Sequence, residues 1–311
     1  MVAYDPHRAP MTGPPQVFDR RAVRRHRDRA AAGFHAHDFL FREIGERLVE
    51  RLDDVTRRFP RVLDVGCRTG LVRGLLGGRA DVETVVGIDL SARMVARAGA
   101  PSVVGDEEML PFADGSFDLV ISNLALHWTN DLPGALVQLR RALKPDGLLL
   151  AAMFGGETLI DLRAALIDAD LAESGGAFPR VSPVADLRDA GMLLQRAGFE
   201  LPVVDGDTVS VSYPDATALM RDLRGMGETN AVVERQRSLA RRGLLVRAAA
   251  AYPRQPDGRI AAGFQVIFLT GWAPHASQPK PLRPGSATTR LADALDSRER
   301  GTGEKAAPDK R

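Results

Sequence analysis

With 311 residues, 44% of them apolar and 26% charged, the chain has the make-up of one soluble globular domain carrying extensions. A formal net charge of +2 asks for neither nucleic acid nor an anionic membrane at the level of the whole molecule. The single cysteine, Cys67, excludes a disulfide framework and any all-cysteine metal centre, and the longest apolar run, 148–154, is far short of the roughly 18–20 residues a bilayer span requires.

Residues 1–16 are rich in proline and are expected to be disordered. They lack the apolar core of a signal peptide, which points to the cytoplasm and leaves peripheral contact with a membrane open. Residues 17–60 read as a helical extension. Phe41, Ile44, Leu48, Leu52 and Val55 recur at three- and four-residue spacing as one apolar stripe, and Pro60 closes it. Ahead of that stripe, residues 20–29 hold six arginines against one aspartate. Such a segment suits a solvated helix face, acidic lipid, the acidic patch of a partner or the protein's own sheet edge. Sparse aromatics argue against nucleic acid. His35, His37 and Asp38 form the only histidine cluster, but i and i+2 point to different sides of a helix, so no metal site is expected.

From residue 61 the pattern alternates. Strands are predicted at 61–65, 84–90, 102–104, 117–123 and 148–154, with helices between them after Gly70, after the capping Ser91 and along Leu132, Leu136, Leu139 and Leu143. Pro145 and Gly147 mark a turn before the fifth strand. Helices near 158–172 and 184–197 lead to a strand at 203–211, a charged helical stretch at 214–252 and a last strand at 262–272. This predicts an α/β fold over 61–272: a Rossmann-like, mostly parallel sheet with an antiparallel edge, a helical extension before it and a helical cap inserted at about 214–252. Residues 273–311 are expected to be largely disordered.

The stretch VLDVGCRTG, residues 62–70, places Asp64 at a strand end and Gly66 and Gly70 in the turn that follows. A phosphate loop would close with Gly-Lys-Ser/Thr, which Thr69-Gly70-Leu71 does not supply. A dinucleotide would bring its pyrophosphate against Asp64. S-adenosylmethionine (SAM) suits the charges better, because it carries an ammonium and a sulfonium and no phosphate. Asp64 can meet the cationic amino-acid portion, and the two glycines let the backbone come close. Asp89 ends the second strand 25 residues later and can accept the ribose hydroxyls. Asp106 follows the third strand and can accept from the adenine amino group, with Met109 or Leu110 packing on the ring. Leu90, Glu107 and Asn123, the last of these ending the fourth strand, complete the expected cofactor set.

The order VLDVGCRTG, GIDLS, GDEEMLPF, FDLVISNLALHW and LKPDGLLL resembles the class I SAM-dependent methyltransferases, in the branch that also holds the malonyl-carrier methyltransferases of the biotin pathway. VFDRRAVRRHRDRAAAGFHAHDFL, AMFGGETLIDLR, DLRGMGETNA and GWAPHASQPKPLRPGSA are similar to the NADH:ubiquinone oxidoreductase complex assembly factor 5 family. The likeness runs from about Val17 to Ala287. It implies a methyltransferase fold, a SAM site at Asp64, Gly66, Gly70, Asp89 and Asp106, and a protein substrate, a subunit of respiratory complex I. It also implies the arginine hydroxylation associated with the family's eukaryotic members, for which these residues supply no visible oxygen chemistry. Arg68 departs from the pattern, which has a glycine there. Its side chain can point outward, bond the SAM carboxylate or oppose the sulfonium.

His127 is a candidate general base beside the fourth strand, with Trp128 as a pocket wall. Glu157 and Glu228 could together clamp an arginine substrate. Methyl transfer to a protein is therefore the leading expectation. A malonyl-thioester acceptor, arginine hydroxylation and non-catalytic assembly chaperoning are its alternatives.

Overall fold

The first strand, β1 (Arg61–Val65), is buried along all but its first residue, as a central strand of a parallel sheet must be. The computed structural model describes residues 16–182, 187–236, 238, 242–278, 293, 296 and 297. After β1 come β2 (Thr84–Asp89), β3 (Ser102–Val104), β4 (Phe117–Asn123), β5 (Leu143–Phe154), β6 (Glu200–Tyr213) and β7 (Ile260–Trp272). They form one sheet in the order β3-β2-β1-β4-β5-β7-β6. Strands β1 to β5 pair in parallel, and β7 runs antiparallel to both β5 and β6. The chain winds outward from β1 through β2 to β3, then restarts at β4 on the other side. That reversal between β1 and β4 opens the crevice in which such sheets bind ligands.

The helices are α1 (Arg20–Ala30), α2 (Phe39–Glu50), α3 (Leu71–Leu76), α4 (Ala92–Ala98), α5 (Leu132–Ala142), α6 (Ile160–Ser174), α7 (Leu187–Arg196), α8 (Ala216–Met226) and α9 (Arg242–Ala251). Alternate residues of each strand feed opposite faces of the sheet. Val62, Leu119, Leu150 and Phe264 pack with α2, α6, α8 and α9 on one face. Leu63, Val120, Leu149 and Leu269 pack with α5 and α7 on the other. The fold is thus the mostly parallel α/β sheet expected, with β7 as its antiparallel strand and β6 at the edge beyond it.

Two local expectations change. The N-terminal extension is two helices rather than one, broken by a short 3-10 turn at Phe34–Ala36. Of the apolar stripe only Phe41, Ile44 and Leu48 lie on α2, which ends at Glu50, well before Pro60; Leu52 and Val55 follow it outside the helix. Asp53 and Asp54 follow at once, and carboxylates there oppose the negative end of the helix dipole. Residues 145–147 make no separate turn either. β5 runs through them, absorbing the extra residues as a register shift opposite Phe117 and Leu119, with Asp146 at φ +64°.

The chain divides into two compact units, Met1–His275 and Ala276–Arg311, and the sheet belongs to the first. Among the described residues, no helix is long and apolar enough to cross a membrane.

Candidate cofactor and acceptor site

The loop after β1 is bonded to the end of β2. Gly66 and Cys67 donate their N–H groups to Ile88 O at 2.8 and 3.0 Å, and Arg68 donates its N–H to Asp89 Oδ2 at 3.1 Å. Gly66 (φ +73°) and Gly70 (φ +85°) both occupy backbone space that favours glycine. A Cβ on Gly66 would collide with that of Ala125, and one on Gly70 would lie 2.6 Å from Ala98 O. The protein's own packing therefore demands these glycines, whatever ligand approaches the loop. Cys67 fills space beneath Gly87, and burial pushes its thiol well above the usual range.

Asp64, only 1% exposed, has no hydrogen-bond partner for either oxygen among the described residues. Burial, and then the charge of Asp89, push its carboxyl up to about 7. The carboxylates of the next two strand ends are placed differently. Asp89 Oδ1 accepts from Ser91 N at 2.8 Å and lies 3.4 Å from Arg27 Nη1. Glu107 Oε1 accepts from the same Arg27 nitrogen at 2.7 Å, and Glu107 Oε2 accepts from Arg20. Asp106 takes the other contact of Arg20, at 2.5 Å, and Arg20 Nη1 also donates to Trp128 O. Burial would raise the Glu107 carboxyl, but Arg27 and Arg20 outweigh it and hold it at about 2. Of the roles open to the arginine-rich segment, Arg20 and Arg27 serve the protein's own sheet edge. Arg21, Arg24 and Arg25 remain exposed on the other side of α1.

Arg68 points inward, which corrects the expectation that it could turn out to solvent. Its Nη2 donates to Glu228 Oε1 at 2.6 Å and to Leu124 O at 3.0 Å, and the guanidinium lies over the Phe41 ring at 4.3 Å. Glu228 Oε2 in turn accepts from Trp128 Nε1 at 2.8 Å and sits 3.0 Å from His127 Nε2. Against the pull of burial, Arg68 and then His127 hold the Glu228 carboxyl at about 2. An ionised Glu228 can only accept, so the proton of a neutral His127 belongs on Nε2. Burial keeps that ring neutral by lowering its pKa, and its Nδ1, also buried, has no partner. The arginine clamp expected from Glu157 and Glu228 is not assembled. Glu157 is exposed in the loop before α6, and Glu228 is committed to Arg68.

The remaining candidates are spread around these groups. Asn123 gives its amide to Phe41 O at 2.7 Å, tying β4 to α2, and its Oδ1 is unpartnered. Leu90 packs beside Phe18 and Trp128, Leu110 joins the core on the α5 side, and Met109 is exposed. His35 contacts Asp38, whereas His37 reaches across to Asp222 at 2.6 Å, so the three do not converge. Among the described residues no metal-binding cluster occurs.

A cavity of 490 Å³ opens on the far side of His127 and Trp128. Phe154, Leu162, Leu166 and Phe264 form its apolar wall, and Arg180, Arg221 and Arg224 line it too. Glu228 borders it, but Asp64, Asp89, Asp106 and Glu107 do not. The buried carboxylate cluster on one side and this cavity on the other therefore meet at the Glu228–His127 pair. The sequence reading did not single out Arg20 or Arg27. Their seven-residue spacing, which puts both on one helix face, was the available signal.

A mostly parallel sheet of this order, with β7 antiparallel and an aspartate near the end of β1 ahead of a glycine loop, is the class I methyltransferase fold. Residues 63–151 match the model of a methyltransferase domain. The chain belongs to the family that contains the mitochondrial arginine-hydroxylase NDUFAF5 and malonyl-[acyl-carrier protein] O-methyltransferase. It is 43% identical to NDUFAF5 of Danio rerio over 287 residues, covering 89% of each chain. The malonyl-[acyl-carrier protein] O-methyltransferase of Xylella fastidiosa is 39% identical, over 85% of this chain and 90% of that one. Among solved structures, the YcgJ protein of Bacillus subtilis superposes with a TM-score of 0.52 at 18% identity, covering 73% of this chain and 98% of the other, which shows the shared fold.

Proposed function

We propose that the protein is a SAM-dependent methyltransferase acting on a protein substrate in the assembly of respiratory complex I. One observation carries this reading: Asp64, a buried carboxylate with no partner, stands at the end of β1 in a methyltransferase sheet. It fits the cationic amino-acid end of SAM, because a buried carboxylate without a cation is driven to protonate. Asp89 and Glu107 have the chemistry to accept from the ribose, but only once the Arg27 guanidinium is drawn back from them.

When bound, SAM supplies an electrophilic methyl group, and the chain's residues do the rest. Glu228 fixes the His127 tautomer, leaving Nδ1 as the lone pair able to take a proton from an acceptor. Phe154, Leu162 and Phe264 give the adjoining cavity an apolar wall against which an acceptor can pack. Arg221 and Arg224, which line that cavity and make no ion pair among the described residues, favour one alternative reading. They suit an acceptor with a carboxylate, such as the malonyl thioester of the O-methyltransferase relatives, better than a guanidinium.

Calorimetric titration with S-adenosylhomocysteine tests the first link. Micromolar binding is expected, weakened about tenfold or more in Asp64→Asn, since one charge contact of this kind is worth about 1–4 kcal/mol. No heat at millimolar ligand overturns the reading. Mass spectrometry of complex I subunits from a strain lacking the gene tests the second. A modification that is lost, then restored by wild type and not by Asp64→Asn, identifies the acceptor, and its mass separates methylation from hydroxylation.

A further inference from the structure

We propose that α1 is a gate on the cofactor cradle, its Arg27 guanidinium holding the place that the nucleoside must take; the inference rests on the SAM reading above. Arg27 is fully buried, and of its three guanidinium nitrogens only Nη1 has partners, on Glu107 and Asp89. Its Nε and Nη2 are buried with none. A guanidinium built purely for stability would have its donors satisfied, because an unpaired buried donor is costly. This one is held by charge, in a space that does not otherwise suit it.

The two carboxylates it holds are inaccessible, Asp89 and Glu107 both being fully buried. Arg20 pairs with the third, Asp106, which stays partly exposed. No ribose hydroxyl can reach Asp89 while Arg27 stays. Hydroxyls are neutral donors and weaker partners for a carboxylate than a guanidinium. The cofactor therefore binds the fraction of molecules in which α1 has withdrawn, and its apparent affinity falls by that fraction.

The helix is suited to withdrawing. Its buried apolar residues are the small Ala22, Val23 and Ala30, so its docking depends on polar links more than on large side chains. Those links run on one side to the sheet edge, through Arg20, Arg27 and Asp28, which accepts from Ser91 Oγ at 2.5 Å, and on the other to the chain after α8. Asp19 N donates to Ala231 O, His26 Nδ1 meets Thr229 O, and Arg235 bonds Asp19. That segment begins at Glu228, the residue that fixes His127. Opening α1 for the cofactor consequently pulls on the element that sets the candidate base, which links occupancy of the carboxylate cradle to geometry at the cavity.

Hydrogen exchange on the full-length protein, with and without saturating S-adenosylhomocysteine, reads the gate directly. Binding should speed exchange at residues 20–30, and calorimetry should give Arg27→Gln an affinity for S-adenosylhomocysteine about tenfold tighter than wild type. Slower exchange at 20–30 in the complex, with weaker binding by Arg27→Gln, would make α1 a wall of the site and overturn the gate while leaving the SAM reading standing. Folded protein that binds no S-adenosylhomocysteine, wild type and variant alike, overturns both. Should Arg27→Gln fail to fold, the exchange experiment on wild type still decides.

Discussion

Arg68 adopts φ +48°, a left-handed conformation that costs a side-chain-bearing residue about 1–2 kcal/mol and a glycine almost nothing. What keeps an arginine there is its ion pair with Glu228, the Leu124 carbonyl and the face of Phe41. Arg68→Gly would relieve the backbone and leave Glu228 buried without its guanidinium. Removing one partner of a buried pair typically costs about 3–5 kcal/mol, so denaturant unfolding should show a net loss of roughly 1–4 kcal/mol. The same change removes a cation near His127 and leaves Glu228 in need of one. The His127 pKa, lowered in the wild type chiefly by burial, should rise in Arg68→Gly, which NMR titration of the ring would report. An unmoved titration would show that Glu228 and Arg68 do not set this ring's charge. The glycine turn and the row of aspartates were legible in the sequence because strand ends and turns are local. The direction of Arg68 was not, since its partner lies 160 residues away and nothing near position 68 announces it.

Among the elements, the parallel strands were readable from apolar runs closed by turns, and the β6–β7 edge from its separation by a helical stretch. The break between α1 and α2 was missed because the apolar stripe starts only at Leu40 and Phe41, leaving the first helix defined by charges. The docking of α1 on the sheet edge is long-range electrostatics and has no periodic signature. Glycines separate local from tertiary demands in the same way. Gly66 is fixed by φ and by the loop after β4, which crowds it through Ala125, whereas a Cβ on Gly78 would meet nothing within 4 Å. Overpacking and a strained φ each cost on the order of 1–3 kcal/mol. Gly66→Ala should therefore lose about 2–5 kcal/mol in urea unfolding, and Gly78→Ala should stay within about 0.5 kcal/mol of wild type. Equal losses at the two positions would mean that the loops after β1 and β4 are not packed as described.

For the molecule as a whole, the buried charges act in opposite directions on stability as pH changes. Glu107 and Glu228 are held at about 2, below their ordinary value, so their contribution is present above about pH 4.5 and is lost as pH falls toward 2. His127, its pKa lowered, works the same way: the unfolded chain takes up its proton first, and stability falls below about pH 6.5. Asp64 runs against them. Its carboxyl is raised to about 7, so the folded state binds the proton more tightly, and stability declines as pH climbs from about 4 through 7. An upward shift of that size is worth at most about 4 kcal/mol. The stability of Asp64→Asn relative to wild type should accordingly rise across pH 4 to 7 and level off above it, in urea unfolding at pH 4, 5.5, 7 and 8.5. A difference independent of pH would show that Asp64 is ionised and paired in the folded protein. Saturating S-adenosylhomocysteine should flatten the wild-type slope, because an ammonium beside Asp64 favours its ionised form and returns its pKa toward the ordinary carboxylate range. That links the stability curve to the cofactor: the group that penalises the ligand-free fold at neutral pH is the one a cationic ligand would relieve.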